Sequence, residues 1–531
     1  MIISYKWLKE YLITDLDINQ ISNILTDIGL SVENIKYYNN LMDWAIDIVI
    51  TPNRSDAISH YGIARDLYAA LITREYKAKL IMPSVKNFKK NIDWIPININ
   101  VENTKKCLRY SGITISKIKI FESPKWLQNR LKIIGINPIN NIIDIINFVM
   151  FELGQPMHVF DADKIKGFNI KVTTVNNNNT FLDKINLSLD DLIICDNNNP
   201  ICLAGIFEGI NYKVTNNTKN IFIDSAYFNP LSIRKSVKRH NLNTEHSFRF
   251  ERGIDPNKTI YALKRAALLI KEIACGYISS DIIDIYPIHI SNSKIRLRYN
   301  KIYNIIGCKI SHNKIWKILE LLEIKIISKN EESLILSVPL YRIDVKREID
   351  IIEEILRIYG YNNLKSINNY SYNESKKNYS SYEFYSKIEE TISQQLLAHG
   401  FNEIITISLK KDNYINLLNT STNKMIVNVI NPLSTDLSIM QPNLLFGMLE
   451  SISYNIKRKN FNLKLFEFGK SYLYKDNNFL ETKYLSLSIT GKIENIKWIN
   501  VDSLDLSFFY LKGIIEQIMQ KIGINNTTQK L

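Results

Sequence analysis

The sequence has few cysteines, no long apolar run and no leader-like start, and each absence excludes a class of protein. The five cysteines among 531 residues are scattered and never spaced as Cys-x-x-Cys, so neither a zinc cage nor a disulfide framework fits. Polar residues interrupt the longest apolar runs, such as residues 142–150, which fall short of the roughly 20 residues that cross a bilayer. Charged residues stand where a signal peptide needs its apolar stretch. We therefore expect a cytoplasmic protein with no membrane span.

Positive charge exceeds negative charge along the chain. The 67 Lys and Arg residues outnumber the 53 Asp and Glu residues, which gives a net charge of +14 and favours a polyanionic partner such as nucleic acid. Ile, Asn and Lys are overused throughout, as A/T-rich codons would impose, so mutational drift is the alternative explanation. Because 45% of the residues are hydrophobic, the chain can bury several cores, and its length predicts roughly three to five domains.

The pattern of elements predicts an α+β fold with several domains. A compact region near the middle is expected to contain three helices and two strands, and a strand over residues 403–409 is expected near the end. A polar stretch with almost no aliphatic residues is the best linker candidate. The boundaries that we predict are 1–75 for an N-terminal helical segment joined directly to a strand–helix unit, 76–290 for the first large domain, 291–362 for the compact domain, 363–380 for the linker and 381–531 for the last domain.

The sharpest chemical pattern is a group of carboxylates around the helix predicted at residues 345–359. The group consists of Asp344, Asp350, Glu353 and Glu354. A helix stacks its i, i+3 and i+4 positions on one face, and Asp344 at the helix entrance can fold back towards them. Oxygen-only carboxylate clusters suit Mg²⁺, which takes few protein ligands and keeps several waters. The alternative is a solvated helix face with ion pairs to neighbouring Lys and Arg residues.

Other stretches have both a functional and a plain explanation. His158 stands between apolar residues, where it either faces a pocket or fills the core. One basic and aromatic stretch resembles a single-stranded nucleic-acid surface or an ordinary solvated helix. It consists of Arg234, Lys235, Lys238, Arg239 and Phe248-Arg249-Phe250. Gly469-Lys470-Ser471 ends like a phosphate-binding loop, but position 464 is Lys instead of the required Gly, so we reject it.

Taken in order, five stretches resemble the β subunit of bacterial-type phenylalanyl-tRNA synthetase across nearly the whole chain. They are Ser4-Tyr-Lys-Trp-Leu-Lys-Glu-Tyr11, Thr51-Pro-Asn-Arg-Ser-Asp56, Glu152-Leu-Gly-Gln-Pro-Met-His-Val-Phe-Asp161, Ser247-Phe-Arg-Phe-Glu-Arg-Gly253 and Glu353-Glu-Ile-Leu-Arg-Ile-Tyr-Gly-Tyr-Asn362. Residues 382–409 with Asn431-Pro432 are also similar to the dimer-forming motif of class II synthetases, which should bury apolar surface against a partner.

The resemblance implies an (αβ)₂ heterotetramer that activates phenylalanine with ATP and transfers it to tRNA(Phe). In that family the α subunit binds ATP and catalyses, and the β chain is non-catalytic. This sequence accordingly has no Gly-rich segment ending in Arg of the kind that class II enzymes use for ATP. Residues 76–290 then correspond to a B3/B4-type editing-like domain, residues 291–362 to a B5-type winged or helical domain, and residues 381–531 to a truncated class II catalytic-like domain. The family's Mg²⁺ ligands fall on the four carboxylates named above.

The chain also departs from the family pattern. Only a few residues lie between Lys36 and Trp44, where the family inserts an OB-fold tRNA-binding domain, and the sequence stops before the family's anticodon-binding domain. In the editing-like pocket, three residues match: Asn147, His158 and Thr244. Four differ, since Glu208 replaces Gly, Ile146 replaces Thr, His246 replaces Ala and Asp224 replaces Glu. We expect the large side chains to fill the pocket and Asp224 to fall short of its partner, so that editing of Tyr-tRNA is weak or lost.

Two other functions compete with the one that the resemblance implies. The first is a degenerate relative that binds RNA or acts as a scaffold without supporting aminoacylation. A chain that stays monomeric in the presence of α would favour it. The second is a stand-alone magnesium-dependent phosphohydrolase, which needs a base and a nucleophile beside the acidic cluster, and the sequence shows neither.

Overall fold

The computed structural model describes residues 1–92, 97–175, 181–183, 185–197, 199–364, 381–417, 425–492 and 505–524. The chain divides into two compact units, Met1–Asn368 and Asn369–Leu531, which we call the N-terminal unit and the C-terminal unit. The predicted linker lies outside the described residues from residue 365 to its end. None of the helices in the described ranges has the length and apolarity that crossing a membrane requires.

Helices and strands alternate in both units, which confirms the predicted α+β class. The α-helices are α1 (Tyr5–Tyr11), α2 (Ile18–Asp27), α3 (His60–Thr73), α4 (Lys125–Ile133), α5 (Asn141–Leu153), α6 (Pro230–His240), α7 (Glu245–Phe250), α8 (Thr259–Ile273), α9 (Tyr299–Ile306), α10 (His312–Leu321), α11 (Glu348–Tyr359), α12 (Ser381–Ala398), α13 (Leu445–Ile456) and α14 (Phe508–Lys521). The strands are β1 (Ile2–Ser4), β2 (Leu12–Thr14), β3 (Val32–Tyr38), β4 (Asp43–Ile48), β5 (Ala78–Leu80), β6 (Asn98–Val101), β7 (Cys107–Ser116), β8 (Met157–Asp161), β9 (Asn169–Thr174), β10 (Phe181–Leu182), β11 (Ile185–Asn186), β12 (Leu192–Asp196), β13 (Asn199–Leu203), β14 (Phe207–Glu208), β15 (Ile221–Phe228), β16 (Tyr277–Ile278), β17 (Ile283–Ile285), β18 (Ser293–Arg298), β19 (Lys325–Lys329), β20 (Ser333–Val338), β21 (Asn402–Glu403), β22 (Leu409–Lys410), β23 (Ile439–Met440), β24 (Leu463–Lys475) and β25 (Asn478–Thr490).

Several helices begin at a side chain that caps them. Ser4 accepts a hydrogen bond from the Trp7 amide at the start of α1, and Asp17 forms a capping box at the start of α2. Asn140 accepts from two amides at the start of α5. These side chains satisfy backbone N–H groups that have no partner inside the helix. Gly154, with φ +80°, ends α5 in the left-handed conformation that glycine adopts without strain.

The N-terminal segment is a small antiparallel sheet packed against α1 and α3. Strand β4 lies in the centre, between β1 and β3. Tyr38 of β3 and Asp43 of β4 are register partners, so a turn of four residues joins the two strands. This short hairpin spans residues 36–44, the place at which the family inserts an OB-fold domain and at which we expected none.

Two five-stranded sheets build the middle of the N-terminal unit. The first has the order β14-β13-β12-β9-β6, and the second has the order β16-β7-β15-β8, with β17 also paired to β7. Helices α5 and α8 pack against each other and against the second sheet. Helix α6 buries Ile233 and Val237 in the core of the first sheet. Strands β8 and β14 and helices α5 and α7 thereby come to surround one cavity.

The compact domain that follows contains a third strand that we did not predict. Its antiparallel sheet has the order β18-β20-β19, and α9, α10 and α11 pack around it. Strand β18 reads Ser-Lys-Ile-Arg-Leu-Arg, in which only Ile295 and Leu297 are buried. Alternation of this kind is the period-2 signal of a half-buried strand. The three basic residues between the apolar ones obscured it.

In the C-terminal unit, β24 and β25 form a long antiparallel hairpin, and β21 runs parallel to β24. Side chains of α12 and α14 form a small core with Phe466 of β24. The predicted strand over residues 403–409 is wrong. Strands β21 and β22 stand at the two ends of this stretch and belong to different sheets, because the chain leaves one sheet and enters the other between them.

Candidate functional site

A cavity of about 560 Å³ opens in the middle of the N-terminal unit, within the usual size range of small-molecule pockets. Five of the six residues predicted for the editing-like pocket line it, and they are Asn147, His158, Glu208, Thr244 and His246. The sixth, Asp224 on β15, is the register partner of His158 on β8. Ile146, which we noted as a departure from the family, also lines the cavity. The structure therefore brings together all six residues, which come from separate parts of the chain.

The carboxylate of Asp224 is fully engaged behind the cavity wall. Its Oδ1 accepts the backbone N–H of His158 at 3.0 Å and lies 3.2 Å from His158 Nδ1. Its Oδ2 accepts the hydroxyl of Tyr110 at 2.8 Å. Both oxygens therefore have partners within the protein. Asp224 orients the imidazole of His158, because the bond at one ring nitrogen fixes the role of the other.

Two neighbouring histidines of the cavity have pKa values shifted in opposite directions. Burial acts to lower the pKa of His158, but the carboxylates of Asp224 and Glu208 together raise it above its usual value. Burial and the charge on His158 lower the pKa of His246 to about 3. The two rings stack with centroids 5.2 Å apart. Burial, with the nearby Asp224, raises the pKa of Glu208 even though His158 lowers it.

The large side chains do not fill the cavity, contrary to our expectation. His246 stacks flat against His158, and Glu208 is held in β14, paired to Cys202 of β13. Both therefore form part of the wall, and about 560 Å³ stays open. Asp224, to which the resemblance assigns the tyrosyl hydroxyl, is bound to Tyr110 and His158 and does not line the cavity, whereas Glu208 does. The cavity therefore has open space, but the Asp224 carboxylate is not free to face a ligand in it.

Three of the four predicted magnesium ligands are bound to arginines: Asp350 to the exposed Arg347, and Glu354 and Asp344 to buried arginines. Glu354 is buried, and its two oxygens accept hydrogen bonds from Nη2 of Arg342 and Nη2 of Arg357, each at 2.6 Å. Asp344 holds the same Arg342 from another side, at 3.0 and 3.1 Å. Burial alone would raise the pKa of Glu354, but the two arginines hold it well below its usual range.

The other two predicted ligands lie apart from this pair. Asp350 accepts the backbone amides of residues 346 and 347 at the start of α11, and Glu353 is exposed. Among the described residues, no three acidic, His or Cys side chains are placed to hold a metal. A magnesium ion held by this chain alone does not fit this arrangement, because Asp344 and Glu354 would first have to leave their arginines. The magnesium site stays a prediction from the resemblance.

These arginines belong to a charge cluster that joins α3 to α11. Four arginines pair in it with four carboxylates, and the half-exposed Glu323 also lies 3.8 Å from Arg65: the arginines are Arg54, Arg65, Arg342 and Arg357, and the four carboxylates are Asp56, Asp66, Asp344 and Glu354. Asp66 of α3 accepts hydrogen bonds from Arg357 of α11 at 3.0 and 3.2 Å. Burial acts to raise the pKa of Asp66, but Arg357 and Arg54 hold it below its usual value. Two stretches that carried the resemblance thus fold against each other.

The structure divides the basic and aromatic stretch into a buried half and an exposed half. In α7, Arg249 and Phe250 are buried, and Arg249 donates to Glu245 at 2.6 Å. In α6, Arg239 pairs with Asp190 and Asp191, and His240 contacts Asp191. The other three basic residues of α6 are exposed: Arg234, Lys235 and Lys238.

Sequence reasoning missed Tyr110 and Lys213 as residues of the site. Tyr110 is 114 positions from Asp224, to which it donates, and only the pairing of β7 with β15 brings it there. Lys213 lines the cavity after a short helical turn. No local pattern marks either residue, because a contact across a sheet leaves no signal in the sequence around one of its members.

Three domain families match the chain in the order of its domains. The B3/4 domain matches residues 106–275, the tRNA synthetase B5 domain matches residues 295–361, and the phenylalanyl tRNA synthetase beta chain CLM domain matches residues 373–530. The first match contains most of the cavity wall and the second contains the predicted magnesium ligands. This series defines the class, which is a chain built from aminoacyl-tRNA synthetase domains.

The relatives that match nearly the whole chain are beta subunits of phenylalanine–tRNA ligase. The phenylalanine–tRNA ligase beta subunit of Bacteroides fragilis strain YCH46 is 43% identical over 502 residues, which are 92% of this chain and 61% of that protein. The beta subunit of Bacteroides thetaiotaomicron is also 43% identical over 502 residues, with the same shares covered. That of Porphyromonas gingivalis is 40% identical over 520 residues, or 94% of this chain and 62% of that protein. The chain is homologous to phenylalanine–tRNA ligase beta subunits, as its motifs indicated, and spans about three fifths of the length of these relatives.

Proposed function

We propose that the chain is the non-catalytic β subunit of a phenylalanine–tRNA ligase. In the cytoplasm it would support an α subunit, in an (αβ)₂ heterotetramer, as that subunit attaches phenylalanine to tRNA(Phe) with ATP. The observation that carries the proposal is the ordered series of three synthetase domain families together with 43% identity over 92% of the chain. The domain boundaries predicted from the sequence, at residues 76, 291 and 381, belong to the same proposal.

Exposed apolar residues of the C-terminal unit are suited to bind the apolar surface of a partner protein. Ile405, Ile430 and Leu433 are each more than nine-tenths exposed. These residues lie in segments next to one small sheet. In that sheet Ile439 pairs with Lys410 and also forms a bridge with Asn428. Single exposed apolar residues are ordinary, but a group of them marks an interaction site. The same segments resemble the dimer-forming motif of class II synthetases, so the α subunit is the partner we propose for this surface.

We do not propose that the four carboxylates bind magnesium. Two of them neutralise buried arginines in the structure, and a dication placed there would have no excess negative charge to bind. The role of this chain is instead to present an association surface and an open cavity to the rest of the complex.

We expect tRNA(Phe) charging with phenylalanine only when this chain and the α chain from the same genome are produced together. Neither chain alone should charge tRNA, because this chain has no catalytic role and α would be without its partner. The measurement is incorporation of labelled phenylalanine into tRNA. The double variant Ile430→Asp/Leu433→Asp should lose charging by releasing α, since two charges in an apolar interface are strongly unfavourable.

The matched control places the same charges on exposed apolar residues of the N-terminal unit. Ile288 and Ile327 are 67% and 53% exposed, and Ile288→Asp/Ile327→Asp should charge tRNA as the unchanged pair does. A soluble wild-type pair that never charges tRNA would contradict the proposal and favour the RNA-binding scaffold.

We also propose that the cavity no longer edits Tyr-tRNA at a useful rate. The reason is the engagement of Asp224 by Tyr110 and His158, which keeps this carboxylate from recognising the hydroxyl of a tyrosyl group. The purified pair should deacylate Tyr-tRNA(Phe) no faster than buffer does. The measurement is loss of labelled tyrosine from the tRNA over time, with Phe-tRNA(Phe) as the matched substrate.

The variant Glu208→Gly/His246→Ala separates the two causes of weak editing. It enlarges the cavity but leaves Asp224 bound, so we expect it to stay inactive. Deacylation by the wild-type pair above the buffer rate would contradict the loss of editing. Recovery in the double variant alone would show that space, and not recognition, is what the cavity lacks.

A further inference from the structure

We propose that the exposed face of α6, together with Lys105, is the surface on which the phosphate backbone of tRNA docks as its 3′ end approaches the cavity. The inference rests on the proposed function, because it takes tRNA as the partner. It adds the place on this chain where that RNA is held. Four features of the N-terminal unit carry it.

The first feature is the unbalanced charge of α6. The helix reads Pro-Leu-Ser-Ile-Arg-Lys-Ser-Val-Lys-Arg-His and contains no acidic residue. Arg234, Lys235 and Lys238 are exposed, and within the described part of the chain no acidic side chain forms an ion pair with them. Exposed cations without local partners are the sequence-independent contacts that hold nucleic-acid backbones.

The second feature is that the acidic groups beneath α6 are already used. Asp191 is fully buried, and its oxygens accept hydrogen bonds from the Ser236 hydroxyl at 2.6 Å and from Arg239 at 2.7 Å. His240 Nε2 lies 2.6 Å from its other oxygen. Asp191 therefore anchors the inner face of the helix. The outer face keeps its positive charge.

The third feature is a basic groove of about 230 Å³ at the start of α6. Three lysines line it, Lys105, Lys106 and Lys235, and Asp190 is its one acidic residue. Asp190 lies 3.7 Å from Lys106 Nζ, which leaves two lysines of the groove for an anion. The groove extends the positive surface of α6 beyond the helix itself.

The fourth feature is continuity with the cavity. Only six positions separate Lys238 from Thr244, so their Cα atoms lie at most about 20 Å apart. Thr244 lines the cavity, and Lys213 adds a positive charge to the same wall. A few nucleotides of single-stranded RNA span such a distance. The basic face and the cavity therefore form one path for an RNA strand and its aminoacyl end.

The test removes the three charges and measures RNA binding by the complete complex. Arg234→Gln/Lys235→Gln/Lys238→Gln should bind a tRNA(Phe) transcript at least about tenfold more weakly at low salt. The slope of log affinity against log salt concentration should fall in magnitude by about 2 to 3, since each phosphate contact contributes slightly less than one. Lys309→Gln/Lys314→Gln/Lys317→Gln is the matched control, because it removes the same charge from exposed positions of the same unit.

The proposal is overturned if the α6 variant binds tRNA as the wild type does, or if the control loses as much affinity and as much slope. Thermal unfolding of both variants verifies that they fold, and Lys238→Gln alone, with a slope change of about 1, serves as a milder second variant. Phenylalanine-dependent exchange of pyrophosphate into ATP needs no tRNA and reports the proposed function separately. Absent exchange by the wild-type pair contradicts the proposed function, whereas normal exchange with unchanged tRNA affinity contradicts the role of α6 alone.

Discussion

Replacing Asp66 with Asn is expected to lower the free energy of unfolding of the N-terminal unit by about 3 to 5 kcal/mol, the usual cost of removing one partner from a buried ion pair. Asp66 is 1% exposed and pairs with Arg54 and Arg357. The amide keeps the shape of the side chain but not its charge, so Arg54 and Arg357 lose a buried anionic partner.

Hydrogen–deuterium exchange is the appropriate measurement, because a unit with several domains need not unfold in one step. Amides of α3 and α11 should exchange faster together, since Asp66 belongs to one helix and Arg357 to the other. The matched control is Asp281→Asn, which breaks a surface pair with Lys90 and should cost at most about 1 kcal/mol. Equal exchange in the two variants would show that the cluster does not join the helices.

Replacing Trp7 with Ala is expected to cost the N-terminal unit a similar amount, about 3 to 5 kcal/mol. Trp7 is completely buried and lies between His60 and Phe148, with ring centroids 3.8 and 4.5 Å away. Its Nε1 donates to the hydroxyl of Tyr11 at 2.6 Å, and that hydroxyl donates to Glu152 at 2.7 Å. The substitution removes the stacked ring and one step of this hydrogen-bond chain together.

Urea unfolding followed by brief proteolysis measures the loss without relying on tryptophan fluorescence. Trp126→Ala is the matched control, because Trp126 also contacts Phe148, edge-on at 5.6 Å, but is 41% exposed. We expect it to cost about 1 kcal/mol. If the two alanine variants unfold at the same urea concentration, the first helix does not depend on Trp7 for its attachment to the rest of the unit.

Local signals in the sequence predicted the elements that local physics decides. Asp17 caps α2 and Pro230 stands in the first turn of α6, so each of these helices begins at a signal only a few residues away. The domain family also followed from the sequence, since its motifs are contiguous stretches. Strand β18 escaped because its apolar residues alternate with three basic ones.

The candidate site was predictable in its membership but not in its chemistry. Motif matches named six residues, of which the structure places five in the cavity wall and the sixth, Asp224, beside His158 behind it. The motif matches could not show that the Tyr110 hydroxyl donates a hydrogen bond to Asp224, because that contact depends on strand register. Nor could spacing along α11 distinguish metal ligands from ion pairs. Glu354 meets Arg342, a residue outside the helix, and a pattern within one helix contains no information about what packs against it.

The pairing of α3 with α11 also sets an order of events during synthesis of the chain. Asp66 and Arg357 are 291 positions apart, and ribosomes add about 5 to 20 residues per second. The N-terminal segment therefore waits roughly 15 to 60 seconds for the helix that completes its interior. During that interval Asp66 lacks one of its two arginine partners, and the face of α3 that α11 will cover is open to water and to chaperones. Helix α3 is therefore made early but completes its packing only after α11 has been made.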